Sequence, residues 1–305
     1  MKSSNAEKLT IFKKKFGKKD FLNKLIASLG RFIIKINRSN QKKKYFLNQI
    51  AGFTDDIITD TINLEGLYEK RELITLISWL KPLSKEFKKS TLIDVGANIG
   101  NHSMFFSDYF KKIVAIEPHD KIFKVLKLNT EKTKNIKILN YAISDNNYNS
   151  YLNIKISNLS GTNLIKKPKK KSKKVICKKL DSIIKKTEKI TLIKIDVEGH
   201  ELKVIKGALN VIKNNKPIIL FEHHLQNFKS NYSPTINFLK KNGYKKFAIV
   251  ASNPRISIFD SFITKLFKNI THFWLNNMSF TVSLEDKIKP DYYPFIIAIP
   301  DKYNI

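Results

Sequence analysis

Four apolar runs in this sequence end on an acid: Thr91-Leu-Ile on Asp94, Ile113-Val-Ala-Ile on Glu117, Leu192-Ile-Lys-Ile on Asp196 and Ile218-Ile-Leu-Phe on Glu222. A buried strand that delivers a carboxylate to its carboxyl end is how an open α/β sheet presents groups to a ligand. After Asp94 the chain reads Val95-Gly96-Ala97-Asn98-Ile99-Gly100, a glycine-bearing turn leading into a helix. Its glycines allow close backbone approach, and the helix start turns free N–H groups toward whatever the turn holds. The dinucleotide fingerprint G-x-G-x-x-G fails, because Asn101 stands five residues after Gly96, and no phosphate-loop lysine follows. An acid at such a mouth suits a cationic amino-acid group better than a pyrophosphate.

Glu117, 23 residues after Asp94, is placed to accept both hydroxyls of a ribose. The competing role is an N-cap for the helix that begins there, together with Asp120. Asp196 is followed by Glu198, His200 and Glu201 within five residues, a density of ionisable groups that suits an active site. Helix capping by the two glutamates and packing of the histidine are the structural alternatives. Glu222 is followed by His223 and His224, either of which could be a ligand, a base or a plain surface histidine. Proton removal at such a cleft needs a neutral histidine or a carboxylate in reach of the departing proton. His200 is the first candidate base, with Asp196 orienting it and Glu198 and Glu222 lining the pocket. No metal site is assigned, although Asp196, Glu198 and Glu222 could offer oxygen ligands to Mg²⁺.

The elements that must hold these groups alternate. Strands are predicted over 91–95, 113–116, 136–140, 190–195, 217–221 and 246–250, and helices over 68–80, 101–109, 119–132, 201–213 and 234–242. Such alternation implies parallel strands with right-handed crossovers. Residues 144–180 interrupt it with two strand-like stretches around the lysine run 166–174, read as a solvated hairpin tip. Residues 253–290 form an aromatic-rich insertion with Phe259, Phe262, Phe267, Phe273 and Trp274, a lid, a membrane-facing element or extra core. Residues 1–65 are a basic N-terminal extension, and 66–305 the main domain. Within the extension, apolar residues from Leu22 to Ile36 recur at three- and four-residue spacings with Lys24, Arg31 and Lys35 among them. They describe a basic amphipathic helix that docks on the core, on a partner or on an anionic membrane.

The series DVGANIGNHS, IEPH, AISD, KIDVEGHE, FE and YPFIIAIP resembles the FkbM family of methyltransferases, from about Gly66 to Pro300 and including Tyr68-Glu69 and Ser160-Gly161. The resemblance implies a class I, Rossmann-like methyltransferase fold: a seven-stranded, mostly parallel sheet with helices on both faces and an antiparallel strand at 295–299. It implies S-adenosyl-L-methionine held by Asp94, Gly96, Asn98 and Gly100, with Glu117 on the ribose and Ala142–Asp145 near the adenine. It also implies O-methylation of a hydroxyl on a sugar, glycan or secondary metabolite, though a family fixes its cofactor better than its acceptor.

Composition narrows the partners. The net charge is +31, but only four of 57 basic residues are arginine, the side chain suited to bidentate base and phosphate contacts. Specific nucleic-acid binding is therefore not expected, and an RNA methyltransferase is the rival substrate reading. A non-catalytic binding protein on the same fold is the rival class. The single cysteine, Cys177, excludes an intrachain disulfide and fits a reducing compartment. With no long uncharged apolar run and no cleavage signal, a cytoplasmic, peripherally membrane-associated enzyme is expected.

Overall fold

The computed structural model describes residues 18–40, 50–153, 163–165, 167–168, 172–253 and 279–305. The lysine run, Ser160-Gly161 and the insertion's five aromatics lie largely or wholly outside them. In chain order the helices are α1 (Lys18–Asn40), α2 (Ile57–Glu65), α3 (Lys70–Trp79), α4 (Ser84–Phe87), α5 (Asn101–Ser107), α6 (Asp120–Thr130), α7 (Leu180–Ile183), α8 (Glu201–Lys206), α9 (Leu209–Asn215) and α10 (Pro234–Lys241). The strands are β1 (Thr91–Val95), β2 (Lys112–Ile116), β3 (Ile136–Leu139), β4 (Ala142–Ile143), β5 (Tyr148–Asn153), β6 (Asn163–Ile165), β7 (Ser172–Lys178), β8 (Ile190–Ile195), β9 (Ile218–His223), β10 (Lys246–Asn253), β11 (Ser279–Leu284) and β12 (Tyr293–Ile299).

The main sheet has the order β11-β10-β12-β9-β8-β1-β2-β3. Its strands send alternate side chains to two cores. Ile93, Val95, Ile193, Ile195, Ile219 and Phe221 meet α8, α9 and α10 on one face. Leu92, Leu192, Ile218 and Leu220 meet α3 and α5 on the other. Strand β12 is antiparallel to both neighbours, as expected for 295–299. The expected count of seven strands is corrected to eight, and the sheet is mixed. β11 adds antiparallel to β10 inside the stretch read as an insertion. Its Phe280 and Val282 pack on the second core, a period-two signal that the surrounding aromatics hid.

A second sheet, β4-β7-β5-β6, stands where a hairpin was expected. The single helix expected over 201–213 is two. Gly207 parts α8 from α9, and a Cβ there would stand 2.0 Å from the Ser144 carbonyl oxygen. The chain divides into compact units after Lys42. Residues 50–65 belong to the sheet unit: the Asn129 amide donates to the Ala51 carbonyl and accepts from its N–H at 3.0 and 2.7 Å, and Ile62 clusters with Ile99 and Ile122.

One polar contact lies in the middle of the sheet. Lys194 on β8 is 2 % exposed and Asp94 beside it on β1 is fully buried. The ammonium lies 3.1 Å from Asp94 Oδ1 and 3.3 Å from Asp196 Oδ2, and Ser103 Oγ donates to Asp94 Oδ2 at 2.6 Å. Burial opposes the lysine's charge, but Asp94 and Asp196 outweigh it and hold the ammonium above its ordinary pKa. Removing one partner of a buried pair leaves the other charge uncompensated. Lys194→Met is expected to lower the unfolding free energy in urea by about 3–5 kcal/mol, with part recovered in the double variant Asp94→Asn/Lys194→Met. An unchanged midpoint for the single variant would contradict the pairing.

Candidate active site

The carboxyl ends of β1, β2 and β8 open on a cleft lined by Val95, Gly96, Ile116, Glu117 and Asp196. Gly96 forms its floor with φ of 80°. A Cβ at that position would stand 1.8 Å from the Asp196 carbonyl oxygen, so glycine lets the ends of β1 and β8 close on each other. The Gly96 and Ala97 N–H groups both donate to the Ile116 carbonyl, at 2.9 and 3.0 Å, which ties the turn to β2. Asn98 holds φ of 51°, and its Oδ1 accepts from the Ile99 N–H at 2.7 Å.

Glu117 closes β2 and lines the cleft. Its Oε2 accepts from the Asn98 N–H at 3.1 Å and its Oε1 from the His119 N–H at 2.8 Å. Burial pushes its carboxyl up to about 7. It does not cap α6: His119 does, its Nδ1 accepting from the Lys121 N–H at 3.2 Å. The far wall is apolar, made by Ile122, Tyr141, Ala142, Leu152 and Leu164. Of the residues assigned to the cofactor, Gly96, Asn98, Glu117 and Ala142 line the cleft. Asp94 lies behind it against Lys194, Gly100 is the N-cap of α5, and Asp145 stands outside, accepting from Ser144 Oγ at 3.0 Å.

Asp196, Glu198 and His200 also line the cleft. His200 Nε2 is 2.9 Å from Ser144 Oγ, and burial lowers its pKa to about 4, so it is neutral and weakly basic near pH 7. Glu201 takes the local bonds expected of a helix-start carboxylate, accepting from the Gly199 N–H at 2.8 Å and from Asn227 Nδ2 at 3.2 Å.

A second polar cluster forms where β9 ends. Side chains alternate along a strand, so Glu222 and His224 share a face while His223 turns the other way. His223 is fully buried against Phe221 and Phe228, and burial lowers its pKa to about 4. His224 Nε2 lies 3.1 Å from Glu222 Oε2 and 3.7 Å from Glu198 Oε2. Tyr292 donates to Glu222 Oε1 at 3.0 Å. Burial, with the neighbouring Asp196 charge, raises the Glu222 carboxyl above the ordinary range, while the hydrogen bond to Glu222 raises His224. Burial also raises Asp196, but Lys194 outweighs it and keeps that carboxyl low. Glu198, Glu222 and His224 offer three ligand atoms within 4.8 Å of one another, a set that could also hold a cation.

The N-terminus of α3 is tied to the start of α5, just past the Gly96–Gly100 turn. Tyr68 N–H donates to Asn101 Oδ1 and Asn101 Nδ2 donates to the Tyr68 carbonyl, both at 3.1 Å. Glu69, at φ of 53°, reaches His102 Nε2 at 3.1 Å. Sequence reasoning missed Lys194, Tyr292, Leu152 and Leu164 as contributors. The lysine was legible as a charge inside an otherwise apolar strand; the other three come from distant segments with no local signal.

The model of the methyltransferase FkbM domain matches residues 94–246, half of the chain. Hexuronic acid methyltransferase AglP of Haloferax volcanii is 27 % identical over 176 residues, which cover 57 % of this chain and 70 % of that protein. A solved FkbM methyltransferase from Methylobacillus flagellatus aligns at 17 % identity over 58 % of this chain, with a TM-score of 0.31. The alignment spans less than half of that relative, 46 % of its length. Precorrin-6y C5,15-methyltransferase from Geobacter metallireducens aligns at 13 % identity over 70 % of this chain and 80 % of its own, with a TM-score of 0.36. The family match takes in both the Gly96 turn and the end of β9, and the chain belongs to the FkbM methyltransferase family.

Proposed function

We propose that this chain is an S-adenosylmethionine-dependent O-methyltransferase whose acceptor is a hydroxyl of a sugar or glycan. The observation that carries the proposal is the adjacency of two sites of different character. One is a glycine-floored cleft with an apolar wall. The other is a carboxylate–histidine cluster, and the two meet at Asp196 and Glu198. The cleft suits the cofactor: its wall of Ile122, Tyr141, Ala142, Leu152 and Leu164 can receive a flat base, and Glu117, on the same lining, offers a carboxylate to a ribose. The bound cofactor supplies a sulfonium methyl that is already activated, so the protein's task is positioning and proton removal. The hexuronic acid named for AglP supports a saccharide acceptor.

Within this reading Glu222 accepts the acceptor's proton. Its raised carboxyl approaches neutrality, the range in which general bases work best. His224 and Tyr292 hold it from either oxygen. His200, engaged by Ser144, positions the cleft wall beside Ala142 and takes the place of a support rather than a base. Asp196 and Glu198 orient the acceptor between the two sites.

Incubating the protein with the labelled cofactor and either hexuronic-acid oligosaccharides or RNA tests the substrate class. Label is expected on a saccharide hydroxyl; label on RNA alone would overturn the proposal. Glu222→Gln is expected to lower kcat by about 10²–10⁴-fold while leaving cofactor affinity unchanged. The base must be ionised to act, and its pKa is raised, so kcat/KM should fall on acidification at a pH above the ordinary glutamate range. That limb should vanish in Glu222→Gln; persistence of the limb would move the base elsewhere. His200→Ala should cost less turnover than Glu222→Gln, and the reverse ranking would return the role to His200.

A further inference from the structure

We propose that α1 is a docking helix for an anionic lipid surface. Leu22, Leu25, Ile26, Leu29, Phe32, Ile33 and Ile36 are 45–60 % exposed, large apolar side chains all. At 100° per residue they fall within one stripe about 120° wide. Lys24, Arg31 and Lys35 project from the opposite half of the wheel. The helix has 23 residues and so runs roughly 34 Å, yet no helix among the described residues is long and apolar enough to cross a membrane. An exposed apolar stripe with a cationic back is the geometry of a helix lying in the headgroup region.

Two observations favour a bilayer over a second copy of the chain. Residues 22, 25, 29, 32 and 36 keep a heptad seam, but Ile26 and Ile33 widen it beyond the two positions that a paired coil buries. Charge points the same way. The first 44 residues hold fourteen Lys and Arg against Glu7 and Asp20, so two such segments repel while anionic headgroups attract them. The arrangement is separate from methyl transfer, and its test needs no turnover.

The test is co-sedimentation of the full chain with vesicles of phosphatidylcholine alone or phosphatidylcholine with phosphatidylglycerol. Binding to the anionic vesicles, weakened by salt, is expected, with little binding to the neutral ones. Leu25→Asn/Leu29→Asn/Phe32→Asn and, separately, Lys24→Gln/Arg31→Gln/Lys35→Gln should each reduce the partition by about tenfold or more. Both variants should keep the wild-type thermal unfolding midpoint, which separates lost docking from lost folding. The proposal is overturned if the wild type stays in solution with anionic vesicles, or if the stripe variant sediments as well as wild type. It is also overturned if sedimentation velocity shows a dimer that the stripe variant abolishes while vesicles bind neither protein.

Discussion

Lys194 is a full charge at the centre of an eight-stranded sheet, and the site is arranged around what that charge requires. It can stay ionised there only because Asp94 lies on one side and Asp196 on the other. Asp94 and Lys194 pair in register across β1 and β8, and Asp196 follows directly after the end of β8. Closing those strands brings the Asp196 carbonyl against the Cα of Gly96, so the turn that floors the cleft and the ion pair behind it are one arrangement. Asp94 thus acts on the cleft by fixing the end of β1, with no surface of its own in the cavity.

The charge on Lys194 also divides the carboxylates into two kinds. Asp196 lies against it and stays low. Glu117 and Glu222 have no cation of that strength and are raised by burial. Asp196 therefore stays ionised while Glu117 and Glu222 are pushed toward neutrality, a division set by environment rather than by residue type. His224 is the counterpart on the β9 side, raised by Glu222 and close to Glu198.

Much of this was legible in the sequence because the strands are short, apolar and end in acids. Period and punctuation gave six of the main sheet's eight strands, and the Gly96 turn and the cluster after Asp196 were found from residue types alone. What escaped depended on contacts between distant segments. His200 stands out by its position after a strand, but its hydrogen bond to Ser144, 56 residues earlier, has no local signal. Tyr292 reaches Glu222 across 70 residues, and no local pattern announces that. The pairing of Glu222 with His224 follows from strand alternation, whereas the sequence left His223 and His224 equivalent. The eighth strand was hidden by aromatics around it, and the break at Gly207 by an uninterrupted helical pattern.

Everything proposed for this chain rests on the Gly96–Glu117 cleft holding the methyl donor. Calorimetric titration with S-adenosylhomocysteine addresses it directly, comparing wild type with Gly96→Ala and Glu117→Ala. Saturable one-to-one binding by wild type is expected, weakened severely by either substitution. A folded wild-type protein that shows no binding, or a Glu117→Ala variant that binds as tightly as wild type, would contradict it.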